Sequence, residues 1–141
     1  QFKTEGSEKG TTGFGKFEYV DQTLYIGEWK LAADGKSKVK HGQGKISFFA
    51  PADEVGEEYD GHWEEDQIHG FGTYKFKSGN EYSGQWVNGI MSGFGKMTYK
   101  DTSTYEGNWE NSMMHGDGLY IDKQGMNWNG IFVNGVFDSK I

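Results

Sequence analysis

At 141 residues the chain is long enough for one domain, but 34% hydrophobic against 16% aromatic content excludes a thick aliphatic core and points to packing by rings. The absence of cysteine excludes a disulfide framework and a thiolate metal site, and fits a reducing cytoplasm. A net charge of −7 opposes binding to nucleic acid and to anionic lipid, and no apolar run approaches the roughly 18 to 20 residues that span a bilayer.

Residues 1–11 read as a polar N-terminal segment without the apolar stretch of a signal peptide. The chain begins with Gln1 rather than Met, which is compatible with a piece of something longer.

From residue 12 to 132 two motifs run in phase. One is Thr12-Gly13-Phe14-Gly15, His41-Gly42-Gln43-Gly44, His69-Gly70-Phe71-Gly72, Ser92-Gly93-Phe94-Gly95 and His115-Gly116-Asp117-Gly118. The other is Tyr25-x-Gly27-x-Trp29, Tyr59-x-Gly61-x-Trp63, Tyr82-x-Gly84-x-Trp86, Tyr105-x-Gly107-x-Trp109 and the variant Trp128-x-Gly130-x-Phe132; the last four start 23 residues apart. Such a period marks a repeat array.

Around both motifs large and small residues alternate with period two, which predicts strands. Ser78-Gly79, Asn88-Gly89, Gln124-Gly125 and Asn134-Gly135 supply the residues that tight reversals need. The predicted fold is all-β: an elongated single-layer antiparallel meander of stacked β-hairpins, ten strands from Gly13 to Phe132, on the order of 50 Å long and twisted.

The repeat that holds Tyr25 is longer than the others by two insertions, in 31–40 and 50–58, both in loops. Lys36, Lys38 and Lys40 form a basic tip there and Asp53, Glu54, Glu57 and Glu58 an acidic one, read as solvated ends or as a pair of partner-contacting loops. Residues 133–141, with Val136, Phe137 and Ile141, are a tail or a cap over the last hairpin.

One face of the predicted sheet carries Tyr25, Trp29, Tyr59, Trp63, Tyr74, Tyr82, Trp86, Tyr99, Tyr105, Trp109, Trp128 and Phe132. Gly27, Gly61, Gly72, Gly84, Gly95, Gly107, Gly118 and Gly130 are its structural glycines, sockets where a ring lies flat on backbone. A single layer has nothing to cover this face, so part of the ring surface is expected to stay accessible to a protein partner, a helix or extended segment lying along a groove. The unpaired sheet ends are a second candidate, for self-association. Phe14, Phe71, Phe94, Ile26 and Ile131 interrupt the polar opposite face without an evident role.

Catalytic and metal chemistry are not expected, and no cofactor is. His41, His69 and His115 fall in consecutive repeats about 10 Å apart, whereas a zinc ligand must stand about 2.0 Å from the ion, so they cannot share one. His62 reads as structural. Glu64 and Glu65 are adjacent on a strand and point to opposite faces, unsuited to acid–base work. There is no Gly-x-Ser-x-Gly elbow, Walker lysine loop or dinucleotide fingerprint.

The pattern Tyr-x-Gly-x-Trp, a short turn, then His-Gly-x-Gly resembles the Membrane Occupation and Recognition Nexus (MORN) repeat from residue 12 to 132. Ser92 and Thr12 stand in place of the usual His, Trp128 of Tyr and Phe132 of Trp; the first two make the His position a turn-supporting one. The resemblance implies a non-enzymatic scaffold or adaptor that docks proteins, in a cytoskeletal or ciliary (axonemal) assembly. Its alternatives are a phospholipid attachment module and the accessory MORN region of a larger enzyme, since such repeats also stand beside kinase and methyltransferase domains.

Overall fold

The computed structural model describes residues 2–6 and 11–140. Alternation and tight turns produce what they predict: twelve strands and no helix among the described residues, with the spatial order of the strands equal to their order in sequence. They are β1 Phe2–Gly6, β2 Thr12–Tyr19, β3 Leu24–Leu31, β4 Lys38–Ser47, β5 Glu58–Glu64, β6 Gln67–Lys75, β7 Glu81–Val87, β8 Ile90–Thr98, β9 Thr104–Glu110, β10 Met113–Ile121, β11 Asn127–Val133 and β12 Val136–Lys140.

The ten expected strands are β2 to β11, and a strand is added at each edge. β1 pairs with β2, Gly6 opposite Gly15. β12, within the segment read as tail or cap, pairs with β11 and brings Phe137 to 5.3 Å from Phe132 and 5.6 Å from Trp128. An open edge of unpaired amides recruits the nearest chain able to extend, and both flanking segments do so. Ile141, named above with the tail, lies outside the described residues.

Register aligns the socket glycines in one row across the sheet. Gly15, Gly27, Gly44, Gly61 and Gly72 stand opposite one another in turn, and Gly84, Gly95, Gly107, Gly118 and Gly130 continue the row. A Cβ at Gly44, Gly72, Gly95 or Gly118 would overlap the ring of Tyr25, Tyr59, Tyr82 or Tyr105, each of which lies over backbone there. The sockets are thus real, and each belongs to one tyrosine.

The first glycine of His-Gly-x-Gly has a different task. Gly27 pairs with Gly44 and Trp29 with Lys40, so three residues of β4 face one of β3; the same jump recurs at Gly61/Trp63, Gly84/Trp86 and between Met114 and Gly118. At the centre of each bulge sits a glycine of positive φ: Gly42 at 93°, Gly70 at 80°, Gly93 at 98° and Gly116 at 83°. Such bulges bend the strand and sharpen its twist. The residue opposite covers the opening: Gln43 donates its amide to Glu28 Oε1 at 2.6 Å, and Phe94 its amide to Gln85 Oε1 at 2.8 Å.

Two-residue turns with both φ positive close four hairpins, at Glu65-Asp66, Asn88-Gly89, Asn111-Ser112 and Asn134-Gly135. The two that contain Asn-Gly were legible in sequence. The other two lack glycine and carry the cost of left-handed side-chain residues.

Candidate functional site

The aromatic face is built from the second strand of each repeat. Tyr25, Trp63, Tyr59, Trp86, Tyr82, Trp109, Tyr105 and Phe132 form one ladder in that order, neighbours standing edge to face with centroids 4.9 to 5.7 Å apart. Each tryptophan therefore wedges between the tyrosine of its own hairpin and that of the hairpin before. The polar ends are satisfied inside the ladder. Tyr25, Tyr59, Tyr82 and Tyr105 donate their hydroxyls to the carbonyls of Glu28, His62, Gln85 and Asn108 at 2.6 to 3.0 Å. Trp63, Trp86 and Trp109 donate to the carbonyls of Gly44, Gly72 and Gly95 at 2.9 to 3.3 Å.

This geometry corrects the expected open face. Tyr25, Trp29, Tyr59, Trp63, Tyr82, Trp86, Tyr105, Trp109 and Phe132 are buried in the chain's own core. The rings themselves form the missing second layer, because each strand's large residues fold over the neighbouring glycine row. Of the expected docking rings, Tyr74 and Tyr99 are half-buried and Trp128 is 40% exposed. Beside them Phe76, Met114, Tyr120 and Phe137 also keep surface.

Trp128 meets the ring of Phe137 edge-on and keeps much of its surface open. Next to it a cavity of about 600 Å³ is lined by Tyr99, Tyr120, Trp128 and Phe137, with Asp101 and Asp122. The two aspartates were not foreseen. Their signal was an Asp two positions beyond the last ring of a first strand, as in Tyr99-x-Asp101 and Tyr120-x-Asp122.

The lysine tip is corrected too. Lys38 lies with its ammonium 4.6 Å from the centroid of Trp29. Lys40 is enclosed: its Nζ is 2.8 Å from Asp66, 3.1 Å from the Tyr19 hydroxyl and 5.3 to 5.8 Å from the Tyr19, Tyr25 and Trp63 centroids. Burial by itself would lower its pKa, but the Asp66 and Tyr19 hydrogen bonds outweigh it and hold the ammonium above its ordinary value. The acidic loop also turns back on the array. Tyr74 donates to Glu57 at 2.9 Å, and Glu54 and Glu58 pair with Lys77 and Lys45 at 3.0 and 3.4 Å.

The histidines hold turns. Nδ1 of His41, His69 and His115 accepts the amide of Glu65, Asn88 and Asn134 at 3.1 to 3.4 Å, fixing the hairpin tip of the next repeat. Where Ser92 replaces His, the Asn111-Ser112 tip is tied by Met91 donating its amide to Ser112 Oγ at 3.2 Å. His69→Ala is expected to cost about 1 kcal/mol and to raise amide exchange at Asn88 while leaving the distant Asn134 turn protected, as hydrogen exchange would report. His62 hydrogen-bonds Gln43, its partner across the β4–β5 pair, at 3.3 Å, and Glu64 and Glu65 face His69 and Lys30 at 3.4 and 2.8 Å.

On the opposite face Phe14, Phe71 and Phe94 stay more than half exposed, each between the two glycines of its motif. Among the described residues nothing covers more than half of any of the three.

Fold and face together define the class: an open array of β-hairpins whose core is a ladder of rings over a row of glycines. Residues 59–81, 82–104 and 105–126 match the family model of the MORN repeat, so the chain carries three consecutive MORN repeats over 59–126. The matched stretch holds the regular copies; the repeat with the two insertions and the variant Trp128-x-Gly130-x-Phe132 fall outside it. No curated protein matches the chain. MORN repeats mark a module that binds proteins or associates with membranes.

Proposed function

We propose that the chain is a non-enzymatic scaffold that docks a protein partner on the open part of its aromatic face, in a cytoplasmic assembly of cytoskeletal or ciliary type. The observation that carries this reading is the ring surface left uncovered at Tyr99, Tyr120, Trp128 and Phe137 around one cavity. Exposed rings beside a cavity are a usual place for a partner's anchor. Phospholipid attachment is less favoured. The chain carries 21 acidic against 14 basic residues, and Lys16, Lys30, Lys40, Lys45 and Lys77 each pair with a carboxylate at 2.8 to 3.5 Å, a balance that opposes an anionic surface.

The test is affinity capture from ciliated cells, read by mass spectrometry, with the intact chain and with Tyr99→Ser/Trp128→Ser. These rings are chosen because Tyr82 and Trp86 are core residues whose loss would disturb the fold. The expected result is a set of partners lost only from the variant, while circular dichroism shows both chains folded. Identical partner sets from both would overturn the proposal.

A further inference from the structure

The cavity near Trp128 has a counterpart at the other end of the same face. Counted from the socket glycines, Tyr19 and Asp21 of a cavity of about 380 Å³ occupy the positions of Tyr99 and Asp101 in the cavity of about 600 Å³. Two of the exchanges between them alter the charge of the wall. Lys40 lines the first where Met114 lines the second, and Phe48 lines the first where Asp122 lines the second.

At the first cavity the chain sets an ammonium of its own against rings. Lys40 Nζ stands over three rings and bonds Asp66 and the Tyr19 hydroxyl. Of the rings around Lys40, Tyr19 corresponds to Tyr99 and Trp63 to Phe132 in the wall of the second cavity, which also has Tyr120 and Trp128, gains a carboxylate and lacks the lysine. Ring faces attract cations, and more strongly where water is partly excluded.

We propose that this second cavity receives a lysine side chain from a basic segment of a partner protein, its ammonium over the rings and beside Asp101 and Asp122. The inference rests on the docking reading above and names what the partner must present.

Both carboxylates are set in place by their own turns. Asp101 Oδ1 accepts the amide and hydroxyl of Ser103, and Asp122 Oδ1 accepts the amides of Gln124 and Met126 at 3.0 Å. Those bonds, the Ser103 hydroxyl foremost at Asp101 and the Met126 amide at Asp122, hold both below the ordinary carboxylate range, so each is charged at neutral pH. Asp122 Oδ2 also accepts the Trp128 indole N–H at 3.3 Å, which fixes that ring against the cavity. Lys123 is near enough to add to the lowering at Asp101 but is exposed and is not part of the cavity wall. The net charge of −7 favours a basic partner on approach.

The test uses the 141-residue chain and short alanine–leucine peptides with a single central lysine, norleucine or arginine, followed by the shift of the Trp128 indole N–H signal. Signals of the buried Trp63, Trp86 and Trp109 report that the fold is intact. The lysine peptide is expected to bind about tenfold more tightly than the norleucine peptide. Asp101→Asn/Asp122→Asn, which keeps the turn acceptors, is expected to remove that difference. Met114→Lys, which supplies an internal ammonium as Lys40 does, is expected to weaken lysine-peptide binding about tenfold as well. Equal binding of norleucine and lysine peptides would sink the lysine and leave the docking face standing, and so would tighter binding of arginine. No shift of Trp128 with the lysine peptide, or full binding by Met114→Lys, would likewise overturn the proposal. Failure of the docking reading itself shows separately, in identical partner sets from the capture experiment.

Discussion

Gly84→Ala is expected to unfold the array or to lower its stability by roughly 3 kcal/mol or more, the upper end of what overpacking costs. A Cβ at Gly84 would meet the Gly95 Cα of the paired strand, with the Tyr82 hydroxyl at 2.6 Å and the Phe94 carbonyl at 2.7 Å. Two of these three are backbone, so no rotamer change relieves them. The strands must part, and parting them lifts Tyr82 from its socket and opens its contacts with Trp86 and Trp109. A loss of that size is a large share of the roughly 5 to 15 kcal/mol that holds a domain of ordinary stability. Gly125→Ala is the control: nothing stands within 4 Å of its Cβ position, and only its φ of +88° resists, at a cost of about 1 kcal/mol. Urea unfolding of both variants gives the comparison, and equal losses would refute the socket account.

Alkaline pH is expected to unfold the protein cooperatively. Tyr25, Tyr59, Tyr82 and Tyr105 are fully buried, and burial, the largest cause at each, pushes the phenols up, to about 12 for Tyr82 and Tyr105 and further for Tyr25 and Tyr59. At Tyr25 the Glu28 carboxylate adds to the rise, while the hydroxyl bonds of Tyr59 and Tyr82 to backbone oppose it. Unfolded tyrosine releases its proton near its ordinary value of 10.0. Above that pH the unfolded state binds fewer protons than the folded one, so stability falls as pH rises; below it these groups have no effect. Each phenol still protonated in the fold contributes a slope of about 1.4 kcal/mol per pH unit, and four together about 5. Tyrosinate absorbance of these rings should appear together with loss of the strand signal in circular dichroism, in the interval of about pH 11 to 12. Titration near pH 10 with the sheet intact would contradict the burial of these hydroxyls.

Much of the architecture was legible beforehand because it depends on neighbours in sequence. Alternation through Tyr82, Gly84 and Trp86 assigns a strand and its two faces, and Asn88-Gly89 and Asn134-Gly135 announce reversals by tolerance of positive φ. Glu65-Asp66 and Asn111-Ser112 were not legible as turns: their residues have weaker turn preferences, and the positive φ is imposed by the strands they join. The bulges were hidden as well, since a residue count along one strand says nothing about how many residues face it across the ladder.

Accessibility of the rings lay furthest out of reach. Parity places Tyr59, Trp63 and Trp86 on one face, but whether that face is open depends on what stands over it. In the fold Trp86 comes from the next hairpin to stand edge-on to Tyr59, 5.7 Å away, so the single layer makes its own cover. Of the expected docking rings Trp128 keeps the most surface. Lys40 is the sharpest case: by sequence it is one of three lysines in an inserted loop, and in the fold it is a cation enclosed by three rings and an aspartate. Period and turn chemistry are local properties and can be read one repeat at a time. Burial, and with it the choice between core and docking surface, is decided by contacts between repeats that only the folded register brings together.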